Sequence, residues 1–123
     1  MFEVTIEQSF AAGHALRNYR GKCENVHGHN YRCQVTLEGR ELDSTGLLMD
    51  FVAAKKVLQT IIDRLDHQWL NDLPPFDVLN PSAENIAKYI YDEVSKEMGS
   101  QNGARLGAVR LWETDTSSAT YRL

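Results

Sequence analysis

Residues 2 to 10 alternate, and that alternation constrains the fold more than any other feature of the chain. Phe2, Val4, Ile6 and Phe10 share one parity; Glu3, Thr5, Glu7 and Ser9 share the other. Side chains of a strand point alternately to its two faces, so this period predicts a strand with one face in a core and the other in water. The same period returns over residues 29 to 38, where Tyr31, Cys33, Val35 and Leu37 oppose Arg32, Gln34, Thr36 and Glu38. The polar stretch "RNYRGKCEN" lies between the two runs and carries a glycine. Two half-buried strands joined this way predict an antiparallel hairpin with a long connection.

The period then changes. After the turn "LDSTGLLMD", and from Phe51 onward, Ala54, Val57, Leu58, Ile61, Ile62 and Leu65 recur at helical spacing. The loop "DLPPFDVLNPS" contains all three prolines and stops that helix. Ser82 is placed as an N-cap before a second stripe of Ala83, Ile86, Ala87, Ile90 and Val94, which ends near Gly99. After "GSQNG", the segments "RLGAVRLWE" and "ATYRL" predict two closing strands. The order β-β-α-α-β-β predicts an α+β fold: a four-stranded antiparallel sheet with two helices on one face. Neither half has an adequate core alone, so residues 1–123 are expected to form a single domain.

Composition narrows the function classes. The net charge is −4 and no basic block stands out, so nucleic acid is not an expected partner. No apolar run approaches the roughly 20 residues needed to span a bilayer, and the start "MFEVTIEQSF" is not that of a signal peptide, so no membrane partner is expected. The two cysteines, Cys23 and Cys33, are expected to be free thiols in a reducing, cytoplasmic setting.

Chemistry concentrates around "CENVHGHNY". His27 and His29 are two apart at the start of the second strand, so they face the same side. His14, in "FAAGHAL", lies just past the first alternating run, and hairpin pairing would bring it towards the other two. Three neutral imidazoles with an open fourth position suit a catalytic zinc ion. The alternative for the H-x-H pair on its own is a polar turn with solvated histidines, and it is His14 that brings the metal reading level with it. Cys23 follows Lys22, and a neighbouring cation favours the reactive thiolate; Cys33 lies on the apolar parity and reads as a core residue. Asp66 and His67, in "RLDHQWLND", make an acid/base pair only on an irregular turn, because adjacent helical residues do not face each other. The alternative is a histidine favoured by the dipole at a helix C-terminus. Glu113 shares the apolar parity of Val109 and Leu111. It is either an exposed strand end or an anchor for a ligand with paired N–H donors.

Taken in order, "FAAGHAL", "CENVHGHNY", "GLLMDF", "LDHQWLND", "NPSAENIA" and "WET" resemble the 6-pyruvoyltetrahydropterin synthase / 6-carboxytetrahydropterin synthase family over nearly the whole chain. The resemblance implies a tunnelling fold whose units associate around a barrel as a homo-oligomer, a trimer or a hexamer of two stacked trimers. It implies a zinc ion held by His14, His27 and His29. It assigns proton abstraction to Cys23 and acid/base work to Asp66 and His67. Glu113 would hold the pterin edge, and the Ser82–Ala83 segment would add backbone contacts from a neighbouring subunit. The implied substrate is the small molecule 7,8-dihydroneopterin triphosphate, with Lys22, Arg17 or Arg20 available to its phosphates. The spacing C-x3-H-G-H is similar to that of the bacterial 6-carboxytetrahydropterin synthases of queuosine biosynthesis; the pyruvoyl-forming animal enzymes carry a longer gap. The rivals are a pyruvoyl-forming enzyme, a non-catalytic metal- or pterin-binding module, and a small structural oligomer whose histidines are incidental. Gly13 and Ala15 stand where the family usually has alanine and often has arginine.

Overall fold

The computed structural model describes residues 1–19, 21, 25–99 and 103–123. Two long strands, β1 (Phe2–His14) and β2 (His27–Gly39), pair antiparallel along their whole length, from Phe2 opposite Gly39 to His14 opposite His27. Each extends beyond its alternating run, and both extensions end in histidines. Ile6, Phe10, Tyr31, Cys33, Val35 and Leu37 point to one face and are buried. The opposite face carries Glu7, Arg32 and Gln34, joined by a 3.0 Å hydrogen bond from Gln34 to Glu7 and a 3.5 Å ion pair between Arg32 and Glu7.

Helix α1 (Phe51–Ile62) starts where the Asp50 carboxylate accepts from Val52 N–H at 2.9 Å, satisfying one of the helix's orphan donors. The helix ends at Ile62, earlier than its apolar stripe, yet Leu65 remains buried on the turn that follows. Helix α2 (Ala83–Met98) is capped by Ser82, whose Oγ accepts from Asn85 N–H, and it buries Ala83, Ile86, Ala87, Ile90, Tyr91 and Val94. Both helices join the buried strand residues in one hydrophobic cluster. Among the described residues no helix is long and apolar enough to cross a membrane.

The sheet is five-stranded rather than four. A two-residue strand, β3 (Gln68–Trp69), pairs parallel to the end of β1, with Ala12 opposite Gln68 and Gly13 opposite Trp69. The closing strands are β4 (Arg105–Thr114) and β5 (Ser117–Arg122), and the strand order is β3-β1-β2-β4-β5. The expected all-antiparallel sheet therefore becomes mixed. Two residues are too few to show a period, and β3 exists because its chain is held against β1 by the turn before it. On β4, Ala108 faces Thr36 and Leu106 faces Leu37, which leaves Gly107 as the extra residue of a β-bulge. A Cβ at Gly107 would lie 3.1 Å from Glu38 Oε2 and 3.3 Å from Thr36 O. The bulge shifts the phase of the strand so that Val109, Leu111 and Glu113 follow on the core-facing side.

Candidate active site

The hairpin register sets the site. His14 and His27 are directly opposed, and His29 lies one same-face step along β2, so three imidazoles meet at one end of the sheet. Their ring centroids are 4.4, 4.8 and 5.1 Å apart. Glu113 comes from β4. Because Arg32 pairs with Trp112, Glu113 falls at the level of Tyr31, on the face that carries the histidines. The ligand atoms of His14, His27, His29 and Glu113 all lie within 4.8 Å of one another, and the four can hold a metal ion.

Hydrogen bonds set the tautomers. His14 Nδ1 lies 2.6 Å from the Pro81 carbonyl and His27 Nδ1 lies 2.7 Å from the Asn25 carbonyl. A carbonyl only accepts, so each Nδ1 carries the proton and each neutral ring turns the Nε2 lone pair outward. His14 is 1 % exposed, yet its Nε2 and that of His29 lack a hydrogen-bond partner among the described residues. Burial lowers the pKa of both His14 and His29. For His14 the Pro81 hydrogen bond and the Glu113 charge oppose this, and for His29 the Glu113 charge does. Orphaned imidazole nitrogens beside a carboxylate, with that of His14 free of a proton, form a donor set that suits a divalent cation.

The end of β1 is held by side chains that imitate strand pairing. Asn71 accepts from Ala15 N–H and donates to Ala15 C=O, both at 2.9 Å. Asn80 does the same for Arg17, at 2.8 and 2.9 Å. Asn85 donates to the Asn80 carbonyl, which fixes the chain on either side of Pro81. Sequence reasoning missed Asn71, Asn80 and the Pro81 carbonyl; the only trace of them was the Asn-Pro turn signal in "LNPS". The Arg17 guanidinium donates to the carbonyls of Asn71, Phe76 and Leu79. It is a staple for the proline-rich loop. Ser82 acts here as a cap, and Ala83 is buried at the first turn of α2.

Asp66 and His67 lie beyond the helix. His67 adopts φ +59°, and its Nδ1 is 3.0 Å from Asp66 Oδ1. The same Oδ1 accepts from Ala11 N–H at 2.9 Å, and His67 N–H donates to Ala11 C=O at 2.6 Å. The Ala11 N–H is the largest influence holding the Asp66 carboxyl below its ordinary pKa, with His67 adding to it. The pair therefore clamps the edge of β1 while the His67 ring stays 82 % exposed. Gly13, Gly28, His29, Asn30, His67 and Gln68 line part of a cleft of about 420 Å³, so one metal-cluster histidine and His67 open onto the same space. The departure at Gly13 has a local reason: a Cβ there would lie 3.1 Å from the Trp69 ring. Cys23, Lys22 and Arg20 lie outside the described residues. Cys33 is the expected core thiol, with its pKa pushed up to about 12 by burial.

Comparison with known proteins matches this arrangement to one family. The family model described as 6-pyruvoyl tetrahydropterin synthase matches residues 3–123. A 6-pyruvoyl tetrahydrobiopterin synthase of Poecilia reticulata is 35% identical over 133 residues, covering 97% of this chain and 88% of that protein. A 6-carboxy-5,6,7,8-tetrahydropterin synthase of Bacillus subtilis (strain 168) is also 35% identical, over 127 residues, covering 98% and 85%. The solved structure of Caenorhabditis elegans 6-pyruvoyl tetrahydropterin synthase superposes with a TM-score of 0.84 at 33% identity, covering 100% of this chain and 97% of that one. Matched by the family model over residues 3–123 and by relatives at 35% identity over nearly full length, the chain belongs to the 6-pyruvoyl tetrahydropterin synthase family.

Proposed function

We propose that this protein is a zinc-dependent 6-carboxy-5,6,7,8-tetrahydropterin synthase. It converts 7,8-dihydroneopterin triphosphate and one water to 6-carboxytetrahydropterin, acetaldehyde and triphosphate, on the route to queuosine in the cytoplasm. The observation that carries the lyase reading is the cluster of His14, His27 and His29 in a member of this family, with buried Nε2 atoms of His14 and His29 that lack a hydrogen-bond partner among the described residues. Relatives of both product types are equally similar, so identity does not choose between them. The C-x3-H-G-H spacing from Cys23 to His29 favours the carboxy-forming reaction; the alternative is a 6-pyruvoyltetrahydropterin synthase that eliminates triphosphate alone.

In this reading His14, His27 and His29 hold the zinc ion, and imidazole donors suit it well. A bound zinc ion would supply Lewis acidity that makes side-chain hydroxyls and neighbouring C–H groups of the substrate more acidic. Cys23 removes a proton from the substrate side chain. His67, with Nδ1 held by Asp66, offers Nε2 for the opposing transfer. Glu113 anchors the pterin edge, whose paired N–H donors match a carboxylate, and backbone at Ser82 and Ala83 adds contacts across a subunit boundary. A homo-oligomer, trimer or hexamer, is supported by the sheet itself: β5 is an edge strand, and β1 pairs with β3 only at its end. Bare edges of this kind invite a further strand.

Mass spectrometry of the products after incubation with 7,8-dihydroneopterin triphosphate tests the proposal. The expected pterin product is 6-carboxytetrahydropterin. A 6-pyruvoyl product would establish the alternative, and recovery of unchanged substrate would refute both.

A further inference from the structure

Glu113 reaches further than its register alone would take it. The last pair of the β2–β4 ladder is Arg32 with Trp112, so a regular continuation sets Glu113 opposite Tyr31, two residues short of His29. His14 is further still, since β2 lies between β4 and β1. Yet Glu113 Oε1 is 3.2 Å from His14 Nε2 and 3.3 Å from His29 Nε2. The other edge of β4 departs from regular pairing at this same residue. Trp112 faces Ser118 and Thr114 faces Ser117, so Glu113 has no counterpart on β5 and is the extra residue of a second β-bulge. A bulge bends its strand, increases the local twist and re-aims a side chain.

Two observations separate this bulge from a by-product of the turn. Thr114 and Ser117 flank a two-residue loop, Asp115–Thr116, and such a loop joins two strands without an extra residue. The strands are also pinned immediately before the bulge. The Arg32 and Arg110 guanidinium groups stack over the Trp112 ring, at 3.9 and 4.5 Å from its centroid, and Arg110 Nε donates to Ser118 Oγ at 3.0 Å. The bend therefore falls at Glu113 itself. We propose that this bulge is a positioning device: the unmatched residue turns the end of β4 so that the Glu113 carboxylate is held at the histidine end of the sheet, where it can meet the paired N–H donors of a ligand. Thr114 acts here only through Glu113, as the residue that closes the ladder beyond it. The proposal rests on the reading of Glu113 as the pterin anchor and is independent of which pterin is made.

The test supplies the missing counterpart. One alanine inserted between Ser117 and Ser118 lets Glu113 pair regularly while the loop stays the same. Binding of neopterin, the oxidised substrate without its phosphates, to the zinc-loaded protein is measured by calorimetry beside Glu113→Gln. Both changes are expected to weaken binding about tenfold or more, with equal zinc content. Combining them is expected to add no further loss, because the insertion acts through the carboxylate. Wild-type affinity in the inserted protein overturns the proposal. So does a combined loss equal to the two single losses together, or a loss of zinc that Glu113→Gln does not show. If Glu113→Gln itself binds neopterin as the wild type does, the anchor reading fails and the positioning claim fails with it. Should the inserted protein not fold, deletion of Thr114 removes the bulge from the other strand and pairs Glu113 with Ser117. It is expected to show the same loss, and wild-type affinity there overturns the proposal.

Discussion

At the residue scale, the most informative side chain after the histidine cluster is His67. A non-glycine residue at φ +59° sits in the left-handed region, which costs about 1–2 kcal/mol for an L-residue. Its backbone N–H and the Asp66 carboxylate hold that conformation by bonding both polar groups of Ala11. His67→Gly is therefore expected to be more stable than His67→Ala by about 1 kcal/mol in denaturant unfolding, while both lose turnover. Equal stability of the two variants would show that the turn carries no such strain. This pair marks the limit of sequence reading at this scale. The residue types of Asp66 and His67 hint at acid/base work, but helical periodicity runs through Leu65 and gives no notice that the helix ends at Ile62. Glu113 was readable as a carboxylate on the core-facing parity. Its approach to His14 and His29 was not, because that depends on the register between β2 and β4.

At the element scale, the site depends on how the end of β1 is fastened to the loop before α2. The backbone groups just past the strand's end, at Ala15 and Arg17, are bonded by the Asn71 and Asn80 side chains. Removing the Asn80 amide leaves both partly buried polar groups of Arg17 unpaired and frees the chain that presents the Pro81 carbonyl to His14. Asn80→Ala is thus expected to cost about 1–3 kcal/mol in stability. It should also lower zinc affinity by about tenfold, the low end for loss of an outer hydrogen bond to a ligating histidine. Chemical denaturation and chelator competition measure the two effects. Lost stability with zinc affinity intact would show that the loop does not position His14. The long strands and α2 were legible because their apolar faces have a clear period. The fifth strand, the bulge at Gly107 and the asparagine bridges were not, since each is made by contacts between residues far apart in the chain.

At the scale of the whole molecule, the sheet's outer strands lack partners along most of their outer edges among the described residues, and His67 projects into an open cleft shared with His29. Both features suit a subunit that is completed by copies of itself. Sedimentation equilibrium is expected to give the mass of a trimer or hexamer, and a stable monomer at working concentrations would contradict that assembly. The overall order of elements was readable from changes of period alone, whereas the assembly depends on edges that only the fold exposes. The central claim is that this metal-centred pterin site breaks a carbon–carbon bond as well as expelling triphosphate. It is tested most directly by measuring acetaldehyde and triphosphate released from 7,8-dihydroneopterin triphosphate by the zinc-loaded protein. The account predicts that the two appear in equal amounts; triphosphate without acetaldehyde, or neither product, would contradict it.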